Sequence, residues 1–167
     1  LNRKPDSSET FKGLGFTSFK LKDYNKSILY LKQSVVLNKD LENAEELVND
    51  GSAIAPYKTE TSVQTKLGWS YFNLGQYNRA ISVFNEELGK NPDWTSLHEG
   101  LGWSYLKLKK LAQSRAAFSK AIRLQPLNNS AHFGLNQAKQ LAIREKLKRK
   151  EVGKKLSGGL ILNSQAL

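Results

Sequence analysis

Apolar residues recur along the chain at the spacing of amphipathic helices rather than of strands. Over residues 67–92 and 101–126, leucines, aromatics and alanines stand three and four positions apart, which places them on one helical face. Pro92 and Pro126 close these two stretches, and proline cannot continue a helix. The pattern therefore predicts pairs of helices. The predicted pairs are 8–21 with 25–37, 61–74 with 78–90, and 95–108 with 112–124.

The chain also repeats itself with an offset of 34 residues. Residues 67–92 align with 101–126 without a gap, and eight identical residues share one register, which compositional bias does not produce. Residues 14–39 form a weaker earlier copy, in which Lys39 replaces the closing proline. The identical pairs are Leu67 and Leu101, Gly68 and Gly102, Trp69 and Trp103, Ser70 and Ser104, Tyr71 and Tyr105, Leu74 and Leu108, Phe84 and Phe118, and Pro92 and Pro126.

The repeated positions have packing roles that their chemistry explains. Gly68 lacks a side chain, so the partner helix can approach closely, and Ala80 on that helix is small for the same reason. Tyr71 is expected to fill the space between the two helices, and Phe84 is expected to face inward from the second.

A 34-residue period with L-G-x-x-Y, a later small residue, an aromatic residue and a closing proline resembles the tetratricopeptide repeat family. The resemblance implies an all-α fold, an α-solenoid of about three tetratricopeptide helix pairs plus a C-terminal capping helix. We expect one domain over residues 1–150 and a basic, flexible tail over 151–167. Within the domain, the repeats cover about 8–41, 61–94 and 95–128, the insertion covers 42–60, and the capping helix covers about 129–150.

The segments outside the repeats leave alternatives open. Residues 42–60 carry helix-forming residues up to Gly51 and then a loop around Pro56, which favours a short helical turn with a linker over a lip on the binding face. After the third copy a fourth one starts without its glycine and tyrosine, as a polar capping helix would. The tail 156–167, with its Gly158–Gly159 break, fits either a disordered end or a segment docked on its own or a neighbour's groove.

The net charge of +11 is concentrated toward the C-terminus. Residues 128–167 hold eight Lys and Arg against two Asp and Glu, whereas residues 1–60 hold nine of each. A basic end attracts acidic partners, nucleic acid or anionic lipid, and it is equally compatible with a solvated helix. Nucleic acid is the less favoured partner because no aromatic residues interleave the basic stretch.

Catalytic and metal-binding patterns are missing from the sequence. There is no cysteine, HExxH motif, nucleophile elbow or phosphate-binding loop. His98 and His132 stand 34 residues apart in the same repeat slot, so we interpret them as structural, and the adjacent pair Glu86–Glu87 as solvated charge. We therefore predict no enzymatic activity, no catalytic residue, no metal and no cofactor.

The sequence leaves the compartment open. No apolar run is long enough to cross a bilayer, and we expect a soluble protein of the cytoplasm or periplasm. The chain begins with Leu1 and contains no methionine, so we expect a processed or incompletely observed product whose upstream signal could be missing.

In the tetratricopeptide family the first helix of each pair lines a concave groove, and the resemblance implies the same here. Members that clamp a C-terminal carboxylate often carry asparagine after the repeat glycine, where this chain has Phe16, Trp69 and Trp103. This difference disfavours such a clamp and favours apolar, proline-rich or amphipathic peptide segments. The alternative is that both tryptophans pad adjacent helices with ring edges in the core. The predicted groove residues are Lys12, Phe16, Phe19, Lys20, Lys66, Trp69, Phe72, Asn73, Glu99, Trp103, Leu106 and Lys107.

We therefore predict a protein-interaction scaffold for a protein or peptide partner that is acidic and has apolar anchors. The alternatives are binding of nucleic acid or anionic surfaces through the basic C-terminal helix, and formation of a homo-oligomer through the tail.

Overall fold

A computed structural model of the protein describes residues 7–45 and 62–164, and within them the side chains of 7–38 and 62–154. These residues form seven helices and no strand. The helices are α1 (Ser8–Lys20), α2 (Tyr24–Glu45), α3 (Val63–Asn73), α4 (Tyr77–Lys90), α5 (Thr95–Lys107), α6 (Leu111–Leu124) and α7 (Asn129–Ser164).

The helices stack as three antiparallel pairs followed by a single long helix. Each first helix packs on its own second helix, and each second helix packs on the next first helix. The first helices α1, α3, α5 and α7 also contact one another in sequence. They form one layer and α2, α4 and α6 form the other, so the all-α solenoid predicted from the 34-residue period is confirmed.

The core depends on phenylalanine rings that fill the space left by pairs of glycines. Phe84 of α4 is fully buried between Gly68 of its own unit and Gly100 of the next one. A Cβ atom on Gly100 would lie 2.5 Å from this ring, so only glycine fits there. Phe118 of α6 is held in the same way by Gly102 and by Gly134 of α7.

The first unit is built with a smaller core residue. Leu31 takes the place of phenylalanine and packs on Gly15. In the next unit, Lys66 stands at the repeat position where the later units carry Gly100 and Gly134. A smaller core residue in the first unit thus goes with a larger residue at this position of the second unit.

The turn inside each pair is built in the same way in all three units. Lys22, Gly75 and Lys109 occupy equivalent positions and have φ of 61°, 74° and 58°. This left-handed conformation suits glycine best, and here two lysines adopt it. The turn geometry therefore recurs even where the sequence of the turn differs.

Two helices are longer than we predicted. Helix α2 continues to Glu45, into the segment that we assigned to the insertion, and α7 continues to Ser164, past the predicted end at about 150 and through Gly158–Gly159. Lysine, arginine, glutamate and leucine favour helix, and a glycine costs a helix about 1 kcal/mol without breaking it. The rest of the insertion, with Gly51 and Pro56, lies outside the described residues.

The prediction that both Glu86 and Glu87 are solvated is wrong for Glu87. Glu86 is exposed as expected, but Glu87 is buried, and the Asn91 side chain donates a hydrogen bond to its carboxylate at 3.2 Å. Neighbouring positions on a helix point about 100° apart, so one member of the pair can face inward while the other is solvated. Within the described residues, none of the helices is both long and apolar enough to span a membrane.

Candidate functional site

The predicted groove residues lie on the layer of first helices, where the tryptophans are half-buried. Trp69 packs edge-to-face on Phe84, with ring centroids 5.6 Å apart at 70°, and Trp103 packs on Phe118 at 5.1 Å and 80°. Each indole thus packs on the core phenylalanine of its own unit and remains partly exposed to solvent. We call this surface of α1, α3, α5 and α7 the first-helix face.

Other aromatic rings extend the first-helix face toward the turns. Phe72 lies 5.3 Å from Trp69 and 5.5 Å from Tyr77, so three rings form a row in the second unit. In the first unit Phe19 packs against Tyr24, the residue equivalent to Tyr77, at 5.6 Å. Phe16 is half-buried and packs against the core.

Trp103 is fixed by a polar network at the start of α7. Its indole N–H donates to the Ser130 hydroxyl at 3.3 Å, and Ser130 in turn donates to the carboxylate of Glu99. The Asn128 amide donates to the other Glu99 oxygen at 3.1 Å. Glu99, the only acidic residue among the predicted groove positions, therefore accepts hydrogen bonds from residues at the start of α7. This network holds the Trp103 indole in one orientation.

The cations of the first-helix face differ in how they are held. The Lys66 ammonium lies 4.8 Å from the centroid of the Phe19 ring, within the range of a cation–π contact. Lys12 pairs with Glu9 at 3.3 Å, which offsets its charge. Lys20, Asn73 and Lys107 are exposed, with the Asn73 amide donating to the backbone carbonyl of Trp69 at 2.8 Å.

One of the predicted groove residues, Leu106, lies in the core instead. It is buried in a cluster with Leu111 and Phe118, so it does not line an open surface. Its slot lies in the last turn of α5, where the start of α6 closes over the helix end and α7 covers the third unit. The short leucine side chain is enclosed there, whereas the larger Phe72 at the equivalent position stays half-exposed.

The sequence reasoning missed the part of the face that α7 supplies. Phe133 lies 6.2 Å from Trp103 and is 59% exposed. It stands 34 residues after Glu99, so extending the repeat register into the fourth copy would have placed it on the same face. Ser130 carried no such signal, because its role comes from the contact between α5 and α7.

The histidines have the structural role that their spacing indicated. His98 and His132 each place Nε2 at 2.8 Å from a backbone carbonyl oxygen, that of Pro92 and that of Pro126 respectively. A carbonyl oxygen only accepts hydrogen bonds, so each ring donates and fastens the first helix to the preceding turn. Among the described residues there is no group of three His, Asp or Glu side chains that could hold a metal ion.

Comparison with known proteins agrees with this architecture. A family model described as Tetratricopeptide repeat matches residues 65–129 and 100–138. No curated protein matches the sequence.

Solved tetratricopeptide domains share the fold at low sequence identity. The OM64 domain from Arabidopsis is 16% identical, with a TM-score of 0.64 over 80% of this chain and 94% of that one. The first such domain of Spaghetti (RPAP3), bound to the HSP90 peptide SRMEEVD, is 19% identical, with a TM-score of 0.65 over 86% and 98%. The Sgt2 domain from Aspergillus fumigatus is 17% identical, with a TM-score of 0.64 over 89% and 88%.

Proposed function

We propose that the chain is a member of the tetratricopeptide repeat family and that it is a protein-interaction module that binds a peptide on the first-helix face. The observation that carries the proposal is the pair of indoles, each braced on a buried phenylalanine and half-exposed on its other side. Rigid aromatic side chains of this kind contribute a large contact area and lose little entropy on binding.

The surrounding charges favour an acidic peptide with apolar anchors. Lys20 and Lys107 are exposed near the aromatic rows, and Lys66 places its ammonium over Phe19. Both carboxylate oxygens of Glu99 already accept hydrogen bonds, from Asn128 and from Ser130, so they are less available to a partner. Carboxylates of the peptide would approach the lysines while its apolar side chains contact the indoles.

The proposed binding mode differs from a carboxylate clamp. The Spaghetti domain binds SRMEEVD, a peptide that combines acidic residues with methionine and valine. In this chain the position after the repeat glycine is Phe16, Trp69 or Trp103. Phenylalanine has no donor, and an indole has a single N–H, which in Trp103 is directed at Ser130, so none of them offers the amide group of an asparagine. We therefore expect recognition of the peptide's interior side chains rather than of its terminal carboxylate.

A titration with SRMEEVD, in free-acid and C-terminally amidated forms, tests whether the peptide binds the first-helix face and whether its terminal carboxylate is needed. Tryptophan fluorescence follows binding, and calorimetry follows it for variants that lack a tryptophan. We expect the two peptides to bind alike, and Trp69→Ala or Trp103→Ala to weaken binding at least tenfold, about 1.4 kcal/mol.

Charge reversal gives the matched control for this titration. Lys107→Glu on the first-helix face should weaken binding, and Lys90→Glu at the end of α4, exposed in the other layer, should not. Unchanged affinity in both tryptophan variants would reject the groove. Loss of binding on amidation alone would show a carboxylate clamp instead.

A second candidate function, nucleic-acid binding, rests on α7. The second half of this helix carries exposed cations around its circumference rather than on one face, so no single side is apolar. The exposed cations are Arg144, Lys146, Lys148, Arg149, Lys150 and Lys154.

An oligothymidine titration at several salt concentrations tests the second candidate. Binding through α7 predicts an affinity that falls steeply with salt and a shallower slope for Arg149→Glu with Lys150→Glu. Lys90→Glu is the control for a charge change elsewhere. If the wild-type chain and the double variant bind oligothymidine with equal affinity, α7 is excluded as a nucleic-acid site.

A further inference from the structure

The first-helix face changes its chemical character along the stack. Where α1 meets α3 it carries the Lys66 ammonium, 4.8 Å from the centroid of the Phe19 ring. Where α5 meets α7 it carries the Trp103 indole and the ring of Phe133, which is 59% exposed, and their centroids lie 6.2 Å apart. One end of the face therefore offers a cation, and the other end offers an apolar aromatic surface.

Lys66 is a half-buried cation that is held by an aromatic ring instead of a carboxylate. In the part of the chain that the structure describes, ion pairs engage Lys12, Lys26 and Lys120 but not Lys66. An ammonium has three N–H donors, and one aromatic face cannot use all of them. Because the surroundings of Lys66 are partly dry, an incoming carboxylate gains more there than at a fully solvated lysine.

The end with Trp103 and Phe133 suits an apolar side chain and disfavours a carboxylate. Trp103 is half-buried against Phe118, whereas Phe133 remains exposed. The Glu99 carboxylate lies beside them, because it accepts from the Ser130 hydroxyl that also accepts from the Trp103 indole. A carboxylate of the peptide would be repelled by Glu99, while an aromatic or large aliphatic side chain would contact both rings.

The number of helices between the two ends determines how far apart a ligand must present its two groups. The first helices are neighbours in the order α1, α3, α5 and α7, so the two ends lie two interhelix steps apart. Neighbouring helices are about 8–10 Å apart, which gives a separation of about 16–20 Å. In an extended peptide, side chains six positions apart span about 19–20 Å. They also point to the same side, both in a strand and in a polyproline II helix.

We propose that the first-helix face selects extended peptides in which an acidic residue and an aromatic or large aliphatic residue stand six positions apart. In this mode the carboxylate pairs with Lys66, and the apolar side chain packs on Trp103 and Phe133. The inference rests on the proposed peptide-binding function, to which it adds a spacing and a contact for each anchor. A helical ligand does not meet this requirement, since six positions of a helix span only about 9 Å.

Blocked peptides that differ in the distance between the two anchors test the spacing. Acetyl-ESPSPSF-amide places the anchors six positions apart, and acetyl-FSPSPSE-amide presents them in the reverse order. ESPSF and ESPSPSPSPSF, blocked in the same way and also made in both orders, place them four and ten positions apart. Titrations of the whole chain followed by NMR measure the affinities. We expect one of the two six-position peptides to bind about tenfold more tightly than every shorter or longer one, because only this distance lets both anchors bind at once.

Substitutions in both molecules test which residue contacts which anchor. Lys66→Met should weaken the six-position peptide about fivefold and leave unchanged the affinity of a version with glutamine in place of glutamate. Phe133→Ala should weaken both of these peptides and leave unchanged a version with alanine in place of phenylalanine. Because Phe133 is exposed, its replacement should not unfold the chain. The matched controls, which should not alter binding, are Leu147→Ala, at another exposed apolar residue of α7, and Lys90→Met, exposed in the other layer.

Three results would overturn the inference. They are no binding of any of the anchored peptides, equal affinities at all three spacings, and equal weakening of the glutamate and glutamine peptides by Lys66→Met. The proposed function is judged separately, by the titration with SRMEEVD. If Trp69→Ala weakens the binding of SRMEEVD while the anchored peptides show no preferred spacing, the face binds peptides and the spacing is rejected.

Discussion

In the second and third units, a single phenylalanine ring determines which residues can face it. Phe84 is enclosed by Gly68 and Gly100, and Phe118 by Gly102 and Gly134, so each ring unites its own unit with the next. The repeated glycine after the leucine is visible in the sequence. The glycine before the leucine recurs less regularly, because the second unit has Lys66 at this position, next to a first unit whose core residue is Leu31. The pairing of ring and glycine becomes apparent only when the helices are stacked.

Gly100→Ala should therefore destabilise the protein although alanine favours helix over glycine. The new methyl group would overlap the Phe84 ring at 2.5 Å, and overpacking of a core costs about 1–3 kcal/mol. That cost exceeds the gain in helix propensity of about 1 kcal/mol. Urea unfolding monitored by circular dichroism measures the difference.

Gly89→Ala is the control for this substitution. Gly89 lies in the helix α4 with no described atom within 4 Å of an added Cβ, so the same change should be neutral or stabilising there by up to about 1 kcal/mol. Equal stability changes in the two variants would contradict the role assigned to Gly100.

The helices followed from the sequence far better than the surfaces between them. The periodic apolar positions and the closing prolines predicted the three pairs, because both act locally. The burial of Leu106 and Glu87 did not follow, because it depends on how neighbouring helices close around particular side chains. Trp69 and Trp103 are half-buried, a state between the two that the sequence left open.

Helix α7 has two parts with different roles, and its length alone does not show this. Ala131, Gly134 and Ala138 are buried against the third unit, whereas beyond Ala142 nearly every described residue is exposed. The first part therefore covers Phe118 in the same way that the first helix of a unit covers the phenylalanine of the unit before it. The second part adds charge to the surface and contributes little to the core.

Truncations at two points of α7 should have unequal effects. Ending the chain after Lys150 removes only exposed or undescribed side chains, so the midpoint of urea unfolding should change little. Ending it after Leu127 uncovers Phe118 and should cost about 3 kcal/mol or more, the order expected when a core aromatic loses its packing. Similar midpoints for the two truncations would show that α7 does not complete the core.

In the intact stack, the units differ in how many neighbours stabilise them. The second unit is packed between α2 and α5, and the third between α4 and α7, while among the described helices the first unit contacts only α3 outside its own pair. Leu14 and Leu21 of this unit are exposed, and its core residue is Leu31 rather than a phenylalanine. A solenoid is stabilised by its units and by the interfaces between them. The smaller core residue and the smaller number of interfaces should therefore both lower the free energy of unfolding of the first unit.

Native-state hydrogen exchange should therefore find that α1 and the described start of α2 open before the rest of the chain. The slowest amides should lie around Phe84 and Phe118, which contact helices on both sides, and their exchange should approach the rate of global unfolding. Uniform exchange free energies from α1 to α6 would mean that the stack unfolds as one cooperative unit.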